Sequence, residues 1–160
     1  MEDSRAGDGA IFEALYPALR RFAGVIRPPG VDADDLLQEA LARTLSVRAL
    51  VSLDDPLNYL RTTMVRVASN LTRGARRSDA RLRNEVPAGD VVDVYPSDLD
   101  DLKHTSPRAR AVLYLTVVEQ RTYREAADIV GCSEPAARQV ASRALRELRA
   151  EMRSEAGEAT

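Results

Sequence analysis

The helical period that organises most of this 160-residue chain stops at residue 84 and resumes only near 106. Between them lies NEVPAGDVVDVYPSDLDD (84–101), with two prolines, one glycine, six acids and no base. Proline and glycine interrupt regular structure and like charges repel, so this stretch reads as an acidic flexible linker. Fully extended, it would reach about 60 Å. The helices on either side therefore cannot share one continuous helical pattern. The expected architecture is all-α: one small helical domain over 1–83, a second over 102–153, and a disordered tail over 154–160.

On the first side, apolar residues at 11, 12, 15, 19, 22 and 26 recur at helical spacing, and Pro28-Pro29-Gly30 ends the run. DDLLQEALARTL predicts a second helix that opens at Asp32 or Asp34, with acids in the first turn where the helix dipole favours them. Asp55-Pro56 supplies a cap and a first-turn proline for a third helix. Its apolar set is Leu57, Leu60, Met64, Val67, Ala68, Leu71 and Ala75. Tyr59, Arg66, Asn70, Arg73 and Arg77 fall within about 60° of one another on the opposite face.

On the second side, Ser106-Pro107 caps a helix running through RARAVLYLTVVE. Thr122 and Glu125 in TYRE have the spacing of a capping box, and the short helix YREAADIV stops at Gly131. A last helix begins just beyond, capped by Ser133 with Pro135 in its first turn. Short helix, glycine turn and second helix is helix-turn-helix spacing. Aromatic residues make up 4% of the chain and Trp is absent, so the core must be built from Leu, Val, Ala and Ile, which suits helices. No strand pattern competes.

Charge is distributed unevenly. The formal net charge is −2, yet residues 61–83 carry seven arginines against one acid. In the last helix Arg138, Gln139, Ser142, Arg143, Arg146 and Arg149 share an arc of about 140°. Ala137, Val140, Ala141, Ala144, Leu145, Leu148 and Met152 occupy a separate arc, which predicts an inner and an outer face. The second helix of a helix-turn-helix lies in the major groove. Arg and Gln carry the paired groups that match guanine and adenine edges there, and further arginines meet phosphates. Nucleic acid is the partner this face suits.

DADDLLQEALART (32–44), PLNYLRTTMVRVASNLTRGARR (56–77) and SPRARAVLYLTVVEQRTYREAADIVGCSEPAARQVASRALRELR (106–149), in that order, resemble a bacterial sigma factor of the extracytoplasmic-function group. These short members of the sigma-70 family keep regions two and four. The resemblance covers about residues 10–150 and implies an alternative sigma factor. Such a factor binds core RNA polymerase and directs promoter-specific initiation. It implies that Asp35, Leu37, Gln38 and Glu39 dock on the β′ clamp helices, with the β subunit as a further contact. It implies −10 recognition by Tyr59, Arg66, Asn70 and Arg73, and −35 recognition by Arg138, Gln139, Ser142, Arg143 and Arg146. The acidic linker would thread a basic polymerase channel in the manner of nucleic acid. An anti-sigma factor is a further implied partner. Tyr59 stands where many members carry Trp, and Arg66 where many carry an Asn that handles a flipped base. EPAARQ replaces a common small-residue turn, so the family's promoter preferences are not carried over.

Other readings stay open at this point. Residues 102–153 alone would suit an autonomous helix-turn-helix regulator, although DDLLQE and the third helix's arginines have no role in that scheme. A degenerate sigma-like protein that binds polymerase without initiating is the third reading. No Ser-His-Asp set, phosphate-cradling glycine loop or inward carboxylate pair occurs, so catalysis is not expected, and neither is a cofactor. His104 has no partner at ligand spacing, so no metal is expected. Cys132, the one cysteine, is expected as a half-buried turn residue. The acidic start has no signal-peptide pattern and no stretch is apolar enough to span a membrane, so the expected location is cytoplasmic.

Overall fold

The computed structural model describes residues 2–82 and 105–158. The linker expected at 84–101, together with His104, lies outside the described residues. The chain divides into two compact units, Met1–Val94 and Tyr95–Thr160. Among the described residues every regular element is helical, as the residue pattern predicts.

The first unit packs α1 (Glu2–Ile26), α2 (Ala33–Val47) and α3 (Pro56–Leu82), with a 3₁₀ turn at Leu50–Ser52. Helix α1 buries Leu19, Phe22 and Ile26 against Leu36, Leu37 and Ala40 of α2 and Leu60, Met64 and Ala68 of α3. It begins well before the first apolar residue of the periodic pattern. A distant contact explains this: the Asp8 carboxylate accepts a hydrogen bond from the Val51 amide at 2.9 Å. Gly7 lets the two segments close up, since a Cβ there would lie 2.7 Å from Val51 Cγ1. Pro17 stands inside α1 without ending it. Helix α2 opens where expected, with Asp32 as cap accepting from the Asp34 and Asp35 amides. Asp55 caps α3 by accepting from Asn58 N at 3.1 Å.

Arg61 departs from the view of α3 as an apolar face opposite a basic one. It belongs to the arginine-rich block, yet it is 1% exposed, with its guanidinium 5.1 Å from the Phe22 ring centroid. On the helical wheel it lies only about 20° from Ala68. It is therefore carried into the core with its neighbours and meets an aromatic face that accommodates its charge.

The second unit packs α4 (Pro107–Leu113), α5 (Tyr123–Val130) and α6 (Glu134–Glu158). Ser106 caps α4 by accepting from Ala109 N at 3.1 Å. The helix expected through residue 119 changes character at Tyr114, where it widens into a π turn over Tyr114–Val118. The Glu119 amide closes that turn on the Tyr114 carbonyl at 3.1 Å. Gly131 ends α5 at φ 74°, where its amide and that of Cys132 both donate to the Ala127 carbonyl. A left-handed residue at this position is what lets the chain reverse into α6 within three residues.

Helix α6 is seated by small residues: its buried side chains are Ala137, Ala141 and Ala144. Methyl groups permit close approach to α4 and α5, whose core contribution includes Val112, Ala126 and Ile129, with Leu115 of the π turn buried beside them. Two expectations need correction here. Leu148 and Met152, assigned to the packed arc, are 45% and 69% exposed. A 25-residue helix is about 37 Å long, whereas the eight residues of α5 span about 12 Å, so α6 outruns its supports. The tail expected to be disordered from 154 instead continues α6 through Glu158. Extending an existing helix needs only one more hydrogen bond per residue, and AEMRSEA consists largely of good helix formers.

Candidate nucleic-acid interface

The helix-turn-helix face is built from its turn outward. Thr122 Oγ1 accepts from Glu125 N at 3.2 Å, and the Glu125 carboxylate accepts from Thr122 N at 2.9 Å, completing the expected capping box. The Thr122 amide is the main reason the Glu125 carboxyl sits below its ordinary range. Ser133 then caps α6 by accepting from Ala136 N at 3.2 Å. With its alanines turned inward, α6 exposes Arg138, Gln139, Ser142 and Arg146, while Arg143 is half-buried. These residues form one continuous polar face.

Arg138 is held more firmly than helical spacing alone predicts. Its Nη2 donates to Glu134 Oε1 at 2.8 Å. Its guanidinium carbon lies 4.8 Å from the centre of the Tyr123 ring on α5. The ion pair has i,i+4 spacing and is legible in the sequence. The ring contact joins two helices and is not. Further along α6, burial raises the Glu147 carboxyl and nearby Glu151 adds to the rise, while Arg146 and Arg143 oppose it. Cys132 is half-buried in the turn, where burial pushes its thiol up and the charge of Arg108 pulls it back in part.

In the first unit, α3 exposes Arg66, Asn70 and Arg73, and Tyr59 is half-buried near its start. Asn70 and Arg73 are joined: Arg73 Nη2 donates to Asn70 Oδ1 at 2.6 Å. Arg66 lies one turn before Asn70 on the same face. Tyr59 stands about 10 Å further along the axis from Arg66. The Thr62 and Thr63 hydroxyls are turned back onto the Asn58 and Tyr59 carbonyls, so they support the helix instead of presenting free donors. Arginine and an amide beside an aromatic ring are groups that can meet phosphates and unpaired bases.

The start of α2 presents a different surface. Asp35, Gln38 and Glu39 are exposed, and Glu39 pairs with Arg43 at 2.7 Å. Leu37 is fully buried in the core, so it supports this surface from beneath and is not available as a contact. Asp34, read from sequence only as a helix-start acid, ties α2 to α1. Its carboxylate accepts from the Tyr16 hydroxyl at 2.7 Å and pairs with Arg20 at 3.3 Å. The Tyr16 hydrogen bond, aided by the Arg20 charge, holds the Asp34 carboxyl below its ordinary range despite some desolvation. Among the described residues no group of three or more His, Cys, Asp or Glu could hold a metal ion, and no helix is long and apolar enough to cross a membrane.

Two family models match the chain: sigma-70 region 2 over residues 11–78, and sigma-70 region 4 over residues 102–150. The chain is similar to the RNA polymerase sigma-E factor of Streptomyces coelicolor, with 32% identity over 142 residues, covering 84% of this chain and 80% of the relative. It is likewise similar to the sigma-E factors of Streptomyces avermitilis and Streptomyces antibioticus. The first is 33% identical over 150 residues, covering 86% of this chain and 80% of the relative. The second is 32% identical over 155 residues, covering 89% and 82%. No solved structure matches the chain.

Proposed function

The chain belongs to the sigma-70 family, as a short factor of the extracytoplasmic-function type, and from that premise we propose which of its surfaces meet polymerase and promoter. It is an alternative RNA polymerase sigma factor that directs transcription initiation, with core polymerase and promoter DNA as its partners. The family is not a family of enzymes. Factor and polymerase would work together in the cytoplasm.

The observation that carries the assignment of surfaces is the outward face of α6, set on an alanine seat behind a capped glycine turn. Arg138, Gln139, Ser142 and Arg143 enter the major groove at the −35 element, and Arg146 meets phosphate. On α3, Arg66 and the linked Asn70 and Arg73 engage the −10 strand, with Tyr59 at the end of the same face. Asp35, Gln38 and Glu39 dock on the β′ clamp helices, held in place by Leu37 and by the tie from Asp34 to α1. An anti-sigma factor that covers these surfaces would keep the protein inactive. Binding through several phosphates makes promoter affinity fall steeply with salt.

Run-off transcription tests this reading, using the purified chain, bacterial core RNA polymerase and fragments of the source genome. The expected result is a set of discrete transcripts that require the protein and weaken with Arg143→Ala. Tight core binding without transcripts would mark a sigma-like protein that does not initiate. Absence of core binding would overturn the proposal in favour of an autonomous DNA-binding regulator.

A further inference from the structure

Among the described residues, Arg138 is the arginine on the outer face of α6 that has both an ion pair and a ring contact. Glu134 engages one guanidinium nitrogen at 2.8 Å, and Tyr123 lies against the guanidinium at 4.8 Å. The backbone beneath each support is fixed. Tyr123 is the first helical residue after Thr122, whose capping box fixes the backbone there. Glu134 is the first helical residue after Ser133, whose hydroxyl caps α6. Among the described residues, Arg146 and Arg149 have neither an ion pair nor a ring contact.

This difference has a physical consequence. A free arginine gives up rotamer freedom whenever it binds, and it adapts to whichever acceptor is near. That behaviour suits phosphate. An arginine whose plane is already set pays less on binding and rejects acceptors that lie out of line. A guanidinium has five N–H donors, and the pair with Glu134 leaves donors available for a bidentate contact. Glu134 also carries a cost, because its negative charge beside the groove opposes every phosphate. A residue that lowers general affinity while orienting a neighbouring donor increases selectivity.

We propose that Tyr123 and Glu134 are positioning residues for Arg138, holding its guanidinium to read one guanine of the −35 duplex, while Arg146 and Arg149 supply sequence-independent affinity. This rests on the reading of α6 as the −35 helix. Tyr123 supplies the stacking face and Glu134 the in-plane anchor.

The test uses holoenzyme reconstituted from the full chain and core polymerase, incubated with DNA randomised over the −35 region. Bound DNA is sequenced, and affinity for unrelated duplex is measured alongside. Wild type should prefer guanine at one position by about 5- to 150-fold, and Arg138→Ala should erase that preference alone. Tyr123→Phe, which keeps the ring, should retain it. Tyr123→Leu should reduce it by about two- to fivefold. Glu134→Ala should reduce it as well and yet bind unrelated duplex more tightly, a pair of opposite changes that loss of fold does not produce. Glu134→Gln, which keeps an acceptor in place, should restore part of the preference. Melting curves establish that each variant is folded. If Arg138→Ala erases the preference while Tyr123→Leu and Glu134→Ala leave it intact, Arg138 reads the base unaided and the proposal is overturned. If Tyr123→Leu weakens every position equally, its role is support of the fold and the proposal is likewise overturned. If Arg138→Ala changes no position, Arg138 reads no base and the proposal is overturned; if Gln139→Ala and Arg143→Ala also change none, the assignment of α6 itself fails.

Discussion

Replacing Leu37 by alanine separates two roles that a sequence motif cannot distinguish, contact and support. DDLLQE points to polymerase as a block, but Leu37 is 0% exposed while Asp35 and Gln38 face outward. Truncating a fully buried leucine removes its transfer free energy and leaves a cavity that the surroundings only partly fill, a loss of about 3 kcal/mol. A helical unit of about 80 residues has roughly 4–12 kcal/mol in total, so Leu37→Ala brings it close to its limit without unfolding it in the cold. At this size each kcal/mol shifts the melting temperature by about 4–8 °C, which places the expected drop near 12–24 °C. Circular dichroism of the full chain, followed at 222 nm, reads this as an earlier first transition. Gln38→Ala should leave that transition within about 0.5 kcal/mol of wild type. In a core-polymerase pull-down near 10 °C, Leu37→Ala should still bind, whereas Gln38→Ala and Asp35→Ala should weaken binding. An unchanged melting temperature together with lost polymerase binding would refute the reasoning, because it would make Leu37 a contact.

Two further outcomes follow from local geometry. Gly131→Ala should cost the second unit about 1 kcal/mol through left-handed backbone strain alone, since an added Cβ meets no atom within 4 Å. Gly131→Asn should cost less, and denaturant melts of the full chain compare the two. The Tyr16 and Arg20 tie places the folded-state pKa of Asp34 below the unfolded one. Its stabilisation is therefore complete above the ordinary aspartate range and is lost as pH falls through the folded value. Asp34→Asn should lower the melting temperature of the first unit near neutral pH, and the gap to wild type should close in strong acid.

What could be read from the residues was whatever is encoded locally. Caps at Asp55, Ser106, Thr122 and Ser133 each need only a few consecutive residues, and each forms a capping bond; the start left between Asp32 and Asp34 falls at Asp32. The polar arc of α6 emerged for the same reason, because one periodicity decides it. Apart from the helical tail, whose residues are good helix formers, the misses required a second segment. The first turns of α1 are held by Val51, far along the chain. Arg61 lies in the core against the Phe22 ring of another helix. Leu148 and Met152 stay exposed because α4 and α5 are short, a fact about other helices. Tyr123 beneath Arg138 again joins two elements. Arg61 could have been found, since its place on the wheel beside Ala68 was visible. The assignment of Leu37 to a contact surface came from treating a motif as a unit when burial sorts its members individually.

The alanine seat of α6 separates what holds the helix from what the helix displays. Ala137, Ala141 and Ala144 are its buried side chains, and none of them belongs to the outward face. Substitutions at Gln139, Ser142 or Arg146 thus leave the anchoring untouched, and the stability of the unit places little restraint on them. On the proposed reading of α6, a lineage carrying this scaffold can change the DNA it answers to through single replacements, without passing through unfolded intermediates. The reverse does not hold. Enlarging any of the three alanines would lift the whole face at once, so the seat is where this unit is least able to vary.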